Sequence, residues 1–211
     1  MSEKIRRIIM SFIGVIITGF AVALLRKAEF GTDPFTSFTV GLANVFHSTY
    51  GVMYPIIIGI LLVIVFFLDK HYLGIATIFN LIIIGPVADT GLKLLDALYV
   101  VDTMYDKIFT FIAAIVVLCF GASLYITADL GVSSYDAIAL YMADKKVAKY
   151  RYCRIATDAV CVIIAFVFKA TIGIGTVVTA LFMGPLSQWF ITYVAEPMRY
   201  GKGAKKKEAK K

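Results

Sequence analysis

Six long apolar stretches, at 9–25, 52–68, 73–88, 108–128, 155–168 and 172–194, alternate with short polar connections along the chain, and Asp158 is the one charged residue inside them. A helix rises 1.5 Å per residue, so a run of roughly 17 to 23 residues extends about 25 to 35 Å, close to the hydrocarbon thickness of a bilayer. The shorter runs complete a crossing with their flanking residues. The pattern therefore predicts six membrane-spanning helices. Two further stretches, 34–46 and 134–143, are too short to cross alone. Each follows a break, Phe30-Gly31-Thr32-Asp33-Pro34-Phe35 and, one hundred residues later, Leu130-Gly131-Val132-Ser133-Ser134-Tyr135. Glycine permits the turn out of the preceding helix, Asp33 or Ser133 can cap the next, and Pro34 suits a first helical position. Lipid satisfies no freed backbone groups, so such breaks survive at membrane depth only against protein or a wet cavity.

The two halves of the chain repeat one another. The third run opens Leu73-Gly74-Ile75-Ala76-Thr77 and contains Gly85-Pro86; the sixth opens Ile172-Gly173-Ile174-Gly175-Thr176 and contains Gly184-Pro185. Gly74, Ile75, Thr77, Gly85 and Pro86 meet their counterparts at an offset of 99, while Phe20, Leu24, Ala28 and Gly31 meet theirs at 100. Two ordered glycine and proline signatures mark an internal repeat. The expected fold is all-α, a polytopic membrane helix bundle of six transmembrane helices plus two short re-entrant or half-helices, arranged as an inverted 3+3 repeat. Its expected parts are a first repeat (1–95), a link (96–107), a second repeat (108–197) and a basic tail (198–211). If the half-helices cross fully, the count becomes eight and the repeats parallel. Proline at 86 and 185 is expected to bend its helix.

Charge adds an orientation. The formal net charge is +7, gathered at Lys4, Arg6 and Arg7, at Lys145, Lys146, Lys149, Arg151 and Arg154, and in the tail after Lys202. With six crossings all three clusters fall on one side, which the positive-inside bias makes cytoplasmic, in a cell membrane with both termini inside. Arg26 and Lys27 are expected to snorkel to the opposite interface. The basic start followed by an apolar run imitates a secretory signal, but its counterpart later in the chain marks it as the first membrane helix. The basic loop and tail suit anionic lipids rather than nucleic acid. Cys119, Cys153 and Cys161 have no paired spacing and read as packing residues. His71 sits in a polar turn. No catalytic set, metal cluster or cofactor motif is apparent, so an enzyme is not expected.

Polar residues in apolar surroundings define the candidate site: Thr32, Asp33, Phe35, Ser133, Ser134, Tyr135 and Asp136 from the breaks, with Asn80, Asp89, Thr176 and Thr179 from the bent helices. Asp158, four residues after Arg154, reads as half of a local ion pair. Half-helix N-termini suit an anion, whereas Asp33 and Asp136 facing the cavity suit a cation or proton. Inverted repeats bind substrate where discontinuous helices meet. The reading is a transporter, or the substrate-binding membrane subunit of one, for a small polar solute by repeat exchange. A channel-like pore, or a non-transporting assembly or regulatory partner of a membrane complex, stands as the alternative. The partners expected are the bilayer, anionic lipid, the solute, and a second copy or another membrane protein.

The pattern Leu/Phe-Gly-x-x-Pro/Ser-Phe/Tyr in each half, with Gly-x-Gly-Thr and Gly-Pro later, resembles the YczE and YitT group of bacterial integral membrane proteins. Size and span fit the YczE-like members best, since a lysine-rich tail stands where YitT-like members carry a soluble domain. The resemblance implies a multi-pass plasma-membrane protein and no particular substrate.

Overall fold

The computed structural model describes residues 3–98, 100–148, 150–168, 170 and 173–200; the tail from Gly201 onward, Lys149 and Lys169 lie outside the described residues. The described residues are helical, without strands. The elements are α1 (Glu3–Ala28), α2 (Pro34–Val45), α3 (Tyr50–Leu68), a 3-10 turn (Lys70–Tyr72), α4 (Ile75–Leu98), α5 (Met104–Ala128), α6 (Ser134–Asp144), α7 (Tyr150–Val167), α8 (Ile174–Phe190), a π turn (Ile191–Ala195) and α9 (Glu196–Tyr200). Four of them, α1, α3, α4 and α5, together with the run Ile174–Tyr200, are long and apolar enough to cross a membrane by length and composition. The remaining expected span lies in α7, whose first half also carries Arg151, Arg154 and Asp158 and is correspondingly more polar.

Helix ends follow local chemistry. Asp33 caps α2, its carboxylate accepting the Thr36 N–H at 3.1 Å, with Pro34 in the first turn. Ser133 holds the same place before α6, but its hydroxyl makes no cap bond. A reciprocal capping box of Thr103 and Asp106 opens α5. Pro86 and Pro185, like Pro55 in α3, are accommodated within continuous helices, and α8 passes into a π turn beyond Pro185. The third apolar run extends further than its hydrophobicity suggests, because Asp89 and Asp96 find partners in Arg26 and Lys27. Those two cations are thereby engaged by α4 instead of reaching freely for the interface.

The centre of the bundle is the antiparallel pair α1 and α5. A Cβ on Gly14 would lie 2.7 Å from the Gly121 carbonyl, and one on Gly121 would lie 2.9 Å from the Gly14 carbonyl, so the backbones cross in direct contact. Small residues at a membrane crossing permit this approach and the dispersion it brings. The two ends of the pair are tied by matching ion pairs, Arg7 with Asp129 at 3.2 Å and Lys107 with Glu29 at 2.6 Å. Arg199 from α9 adds a second guanidinium to Asp129, at 3.2 Å, and donates to the Thr127 carbonyl at 2.6 Å.

Outside this pair, α4 lies parallel to α1, with Gly19 against Val87 and Gly91 against Phe20 and Ala23. On the other side α8 packs on α5. A second layer joins α2 to α7 and α3 to α6, crossing between the halves. One difference separates the halves. Helix α3 packs along α4, where a Cβ on Gly85 would meet the Gly51 carbonyl at 2.8 Å. No comparable α7–α8 packing occurs among the described residues, and a Cβ on Gly184 would meet nothing within 4 Å.

Gly131 has a φ of +102°, and a Cβ there would lie 2.5 Å from the Gly74 nitrogen. Left-handed strain alone is worth about 1–3 kcal/mol. Gly131→Ala is therefore expected to lower the thermal midpoint of the detergent-purified chain clearly. Gly184→Ala, in open space on a helix, is expected to leave it unchanged or raise stability by about 0.5–1 kcal/mol. Equal effects at the two positions would show that the first contact is not formed.

Candidate functional site

Each break is held by the start of a helix from the other half. The Phe30 carbonyl accepts the Gly175 N–H at 2.9 Å, and the Leu130 carbonyl accepts the Ala76 N–H at 3.0 Å. Thr77 and Thr176 stand in matching places beneath the breaks: the Thr77 hydroxyl donates to the Val132 carbonyl at 2.7 Å, and a Cβ on Gly31 would meet Thr176 Oγ1 at 2.7 Å. The helix starts thus supply the donors that the breaks lack, as helix N-termini are suited to do. Inside the first break, Thr32 Oγ1 and Ser37 Oγ share a hydrogen bond of 2.9 Å. Thr179 is buried and donates to the Thr176 carbonyl at 3.0 Å. These hydroxyls are engaged locally and shape the breaks.

From this reciprocal docking the break aromatics emerge face to face. Phe35 and Tyr135 stack with ring centroids 4.5 Å apart and planes 25° apart, and both are buried. Tyr54 of α3 meets Phe35 edge-on at 6.0 Å, and its hydroxyl donates to Asn80 Oδ1 at 2.5 Å. On the opposite side the Arg154 guanidinium lies over Tyr135, 4.6 Å from its centroid. Arg154 also pairs with Asp136 and, at 3.4 Å, with Asp158. The Tyr125 hydroxyl donates to Asp136 at 2.7 Å, and the Tyr135 hydroxyl to Asp158 at 2.5 Å. Ser134 is fully buried, and its Oγ has no hydrogen-bond partner among the described residues. An aromatic pair is thus flanked by an amide on one side and by a guanidinium with two carboxylates on the other.

Asp89 belongs to a different place. One oxygen takes Arg26 at 2.7 Å and the other the Gly51 N–H at 2.7 Å, while Arg26 also lies 5.2 Å from the Tyr50 ring. Around them opens a cleft of about 250 Å³ lined by Asn44, Lys93 and Asp96 among others. Tyr72 and Asp144 form a further cross-half hydrogen bond at the opposite end of the molecule. Desolvation and that carboxylate push the Tyr72 phenol up to about 12, so it remains a donor at neutral pH.

Residues 5–192 match the model of a family of unknown function, DUF6198. The chain belongs to this family. Its relatives include the uncharacterized membrane protein YczE of Bacillus subtilis (strain 168), 26% identical over 200 residues, which are 94% of this chain and 91% of the relative. The uncharacterized protein YyaS of the same organism is 26% identical over 185 residues, 86% of this chain and 90% of that one. An uncharacterized protein of Haemophilus influenzae is 22% identical over 179 residues, 85% and 80% of the two chains. No solved structure matches. The expected YczE-like resemblance is borne out, and the chain is a multi-pass membrane protein.

In this DUF6198 member the residues singled out from sequence divide into three groups. Phe35, Tyr135 and Asp136 meet at the junction of the halves, with Asn80 one residue removed through Tyr54. Thr32, Asp33, Ser133, Ser134, Thr176 and Thr179 lie in or beneath the breaks. Asp89 stands in the Arg26 cleft. Sequence alone does not single out Tyr54, Tyr125 or Arg154 for the site, and it marks Asp158 only as the partner of Arg154, a contact the structure contains. Alignment at the repeat offset would have flagged Tyr54 and Arg154, which occupy corresponding positions.

The Arg26–Asp89 pair is mostly buried on both sides, and removing one partner leaves the other charge uncompensated. Asp89→Asn and Arg26→Gln are each expected to cost about 1–3 kcal/mol, and the two together less than the sum. Additive losses in a thermal double-mutant cycle would deny the pair any coupling.

Proposed function

We propose that the protein is a transporter for a small polar solute, with the solute bound beside the Phe35–Tyr135 stack at the junction of two inverted repeats. The observation that carries this reading is the reciprocal docking of two breaks, one hundred residues apart in sequence, that sets their aromatic residues against each other. Two further observations support it. Helices α1 and α5 open their respective halves yet run antiparallel, as halves related by an axis in the membrane plane do. The halves also differ in packing, α3 against α4 but α7 apart from α8, and exchanging those two arrangements would move access from one face to the other. In this reading six helices cross, α2 and α6 are half-helices, and both termini are cytoplasmic in the cell membrane. The basic loop near 145–151 and the tail then meet anionic headgroups.

A thermal-stability screen of purified protein against amino acids, nucleobases, vitamins, organic acids and ions tests the reading. A ligand at one hundred times its dissociation constant stabilises the native state by about 2.7 kcal/mol. The expected result is a small polar ligand whose stabilisation disappears in Phe35→Ala and persists in Gly184→Ala, and whose uptake into proteoliposomes saturates. Rapid flux without saturation would favour a pore. Well-folded protein with neither ligand nor flux would favour an assembly partner.

A further inference from the structure

The second half carries a charged network that the first half builds without charge. Asp158 is 8% exposed, accepts the Tyr135 hydroxyl at 2.5 Å and faces Arg154 Nε at 3.4 Å. The same guanidinium also pairs with Asp136, which takes the Tyr125 hydroxyl. One hundred residues earlier, Tyr125, Tyr135, Asp136, Arg154 and Asp158 correspond to Leu25, Phe35, Thr36, Tyr54 and Ile58. Leu25 and Ile58 are fully buried, and Tyr54 packs on Phe35 as Arg154 packs on Tyr135. The same positions therefore close in an equivalent setting with apolar and neutral groups. Burying ions is costly, and their replacement by well-packed apolar groups is often neutral or stabilising. Packing alone gives no reason for the charges.

We propose that Asp158 is the proton-binding site of this transporter, taking a proton onto its free carboxylate oxygen from water on one side and releasing it on the other. This rests on the transporter reading above. Two carboxylates share one guanidinium, and Asp158 is the more buried of the two, so its charge is the costlier to keep. Asp33, at the start of α2, is near enough for its carboxylate and that of Asp158 to repel. Cys161 Sγ lies 3.6 Å from the Tyr135 hydroxyl. A metal cation fits poorly: the neighbours of Asp158 are an O–H and an N–H donor, and the guanidinium repels a second cation, whereas metal sites gather several oxygen acceptors. A proton needs only the lone pair. Its arrival lets Arg154 move wholly to Asp136, and because Arg154 lies on Tyr135, which stacks on Phe35, the change is felt where the two halves touch.

Infrared difference spectroscopy of the full-length purified chain with isotope-labelled aspartate reads the carboxylic-acid carbonyl stretch directly and needs no knowledge of the solute. A protonated aspartate band is expected at neutral pH, lost in Asp158→Asn and retained in Asp33→Asn. In Asp136→Asn the band is expected to vanish at lower pH, since Arg154 then serves Asp158 alone. Asp158→Ile, which copies the first half, is expected to keep a cooperative thermal transition while losing the band. Absence of the band in the unaltered chain, its survival in Asp158→Asn and Asp158→Ile, or its displacement when sodium replaces choline would overturn the proposal. So would unfolding of Asp158→Ile, which would make the charges structural. A band with this behaviour beside a failed solute screen would overturn the transport reading alone; a transported solute without the band would overturn the proton site alone.

Discussion

Everything in this molecule depends on where the broken backbone finds its hydrogen bonds. A helix interrupted in a bilayer leaves carbonyl and amide groups that lipid cannot satisfy, and here each interruption is completed by the first amides of a helix from the opposite half. The Phe30 carbonyl needs Gly175, and the Leu130 carbonyl needs Ala76. Neither half can close its own break in this way, so the two fold as one unit. Glycines at 31, 74, 131 and 173 are the consequence, because the backbones approach too closely there for a side chain.

That exchange of backbone contacts also explains the position of the candidate site. By docking on the opposite half, each break directs its next aromatic residue toward the molecular centre, and Phe35 and Tyr135 meet. The α1–α5 crossing fixes the frame around them through bare backbone contact at Gly14 and Gly121 and through ion pairs at both ends. Around the shared frame the halves then diverge. One side of the aromatic pair is lined by Tyr54 and Asn80, the other by Arg154, Asp136 and Asp158. Repetition supplied two equivalent places, and different side chains there give them different chemistry.

Much of the fold was legible in the sequence because a repeat advertises itself twice. The breaks, the caps at Asp33 and Pro34, the short α2 and α6, and the glycine-threonine starts at 74–77 and 173–176 all follow from local residues whose role does not depend on a distant neighbour. The charged partnerships were less legible. Arg26 and Asp89 are 63 residues apart and meet only because α1 and α4 pack in parallel, a register that no local pattern specifies. Read alone, Arg26 is a snorkelling cation and Asp89 a lone intramembrane acid. Arg154 announced Asp158 through helical spacing, yet its other partner, Asp136, lies on another element. The length of α4 was underestimated for the same reason, since Asp89 and Asp96 look like a helix end until their cations are placed.

The proposed inverted relation between the halves is the central claim, and sided labelling tests it most directly. With the native cysteines replaced, single cysteines at His71 and Asp102 would be probed with a membrane-impermeant reagent in intact cells and in inverted vesicles. Inverted repeats place His71 on the cytoplasmic side and Asp102 on the outer side. Labelling of Asp102→Cys only from outside and of His71→Cys only from inside is the predicted result. The opposite pattern would mean eight crossings with parallel halves, and would contradict the account.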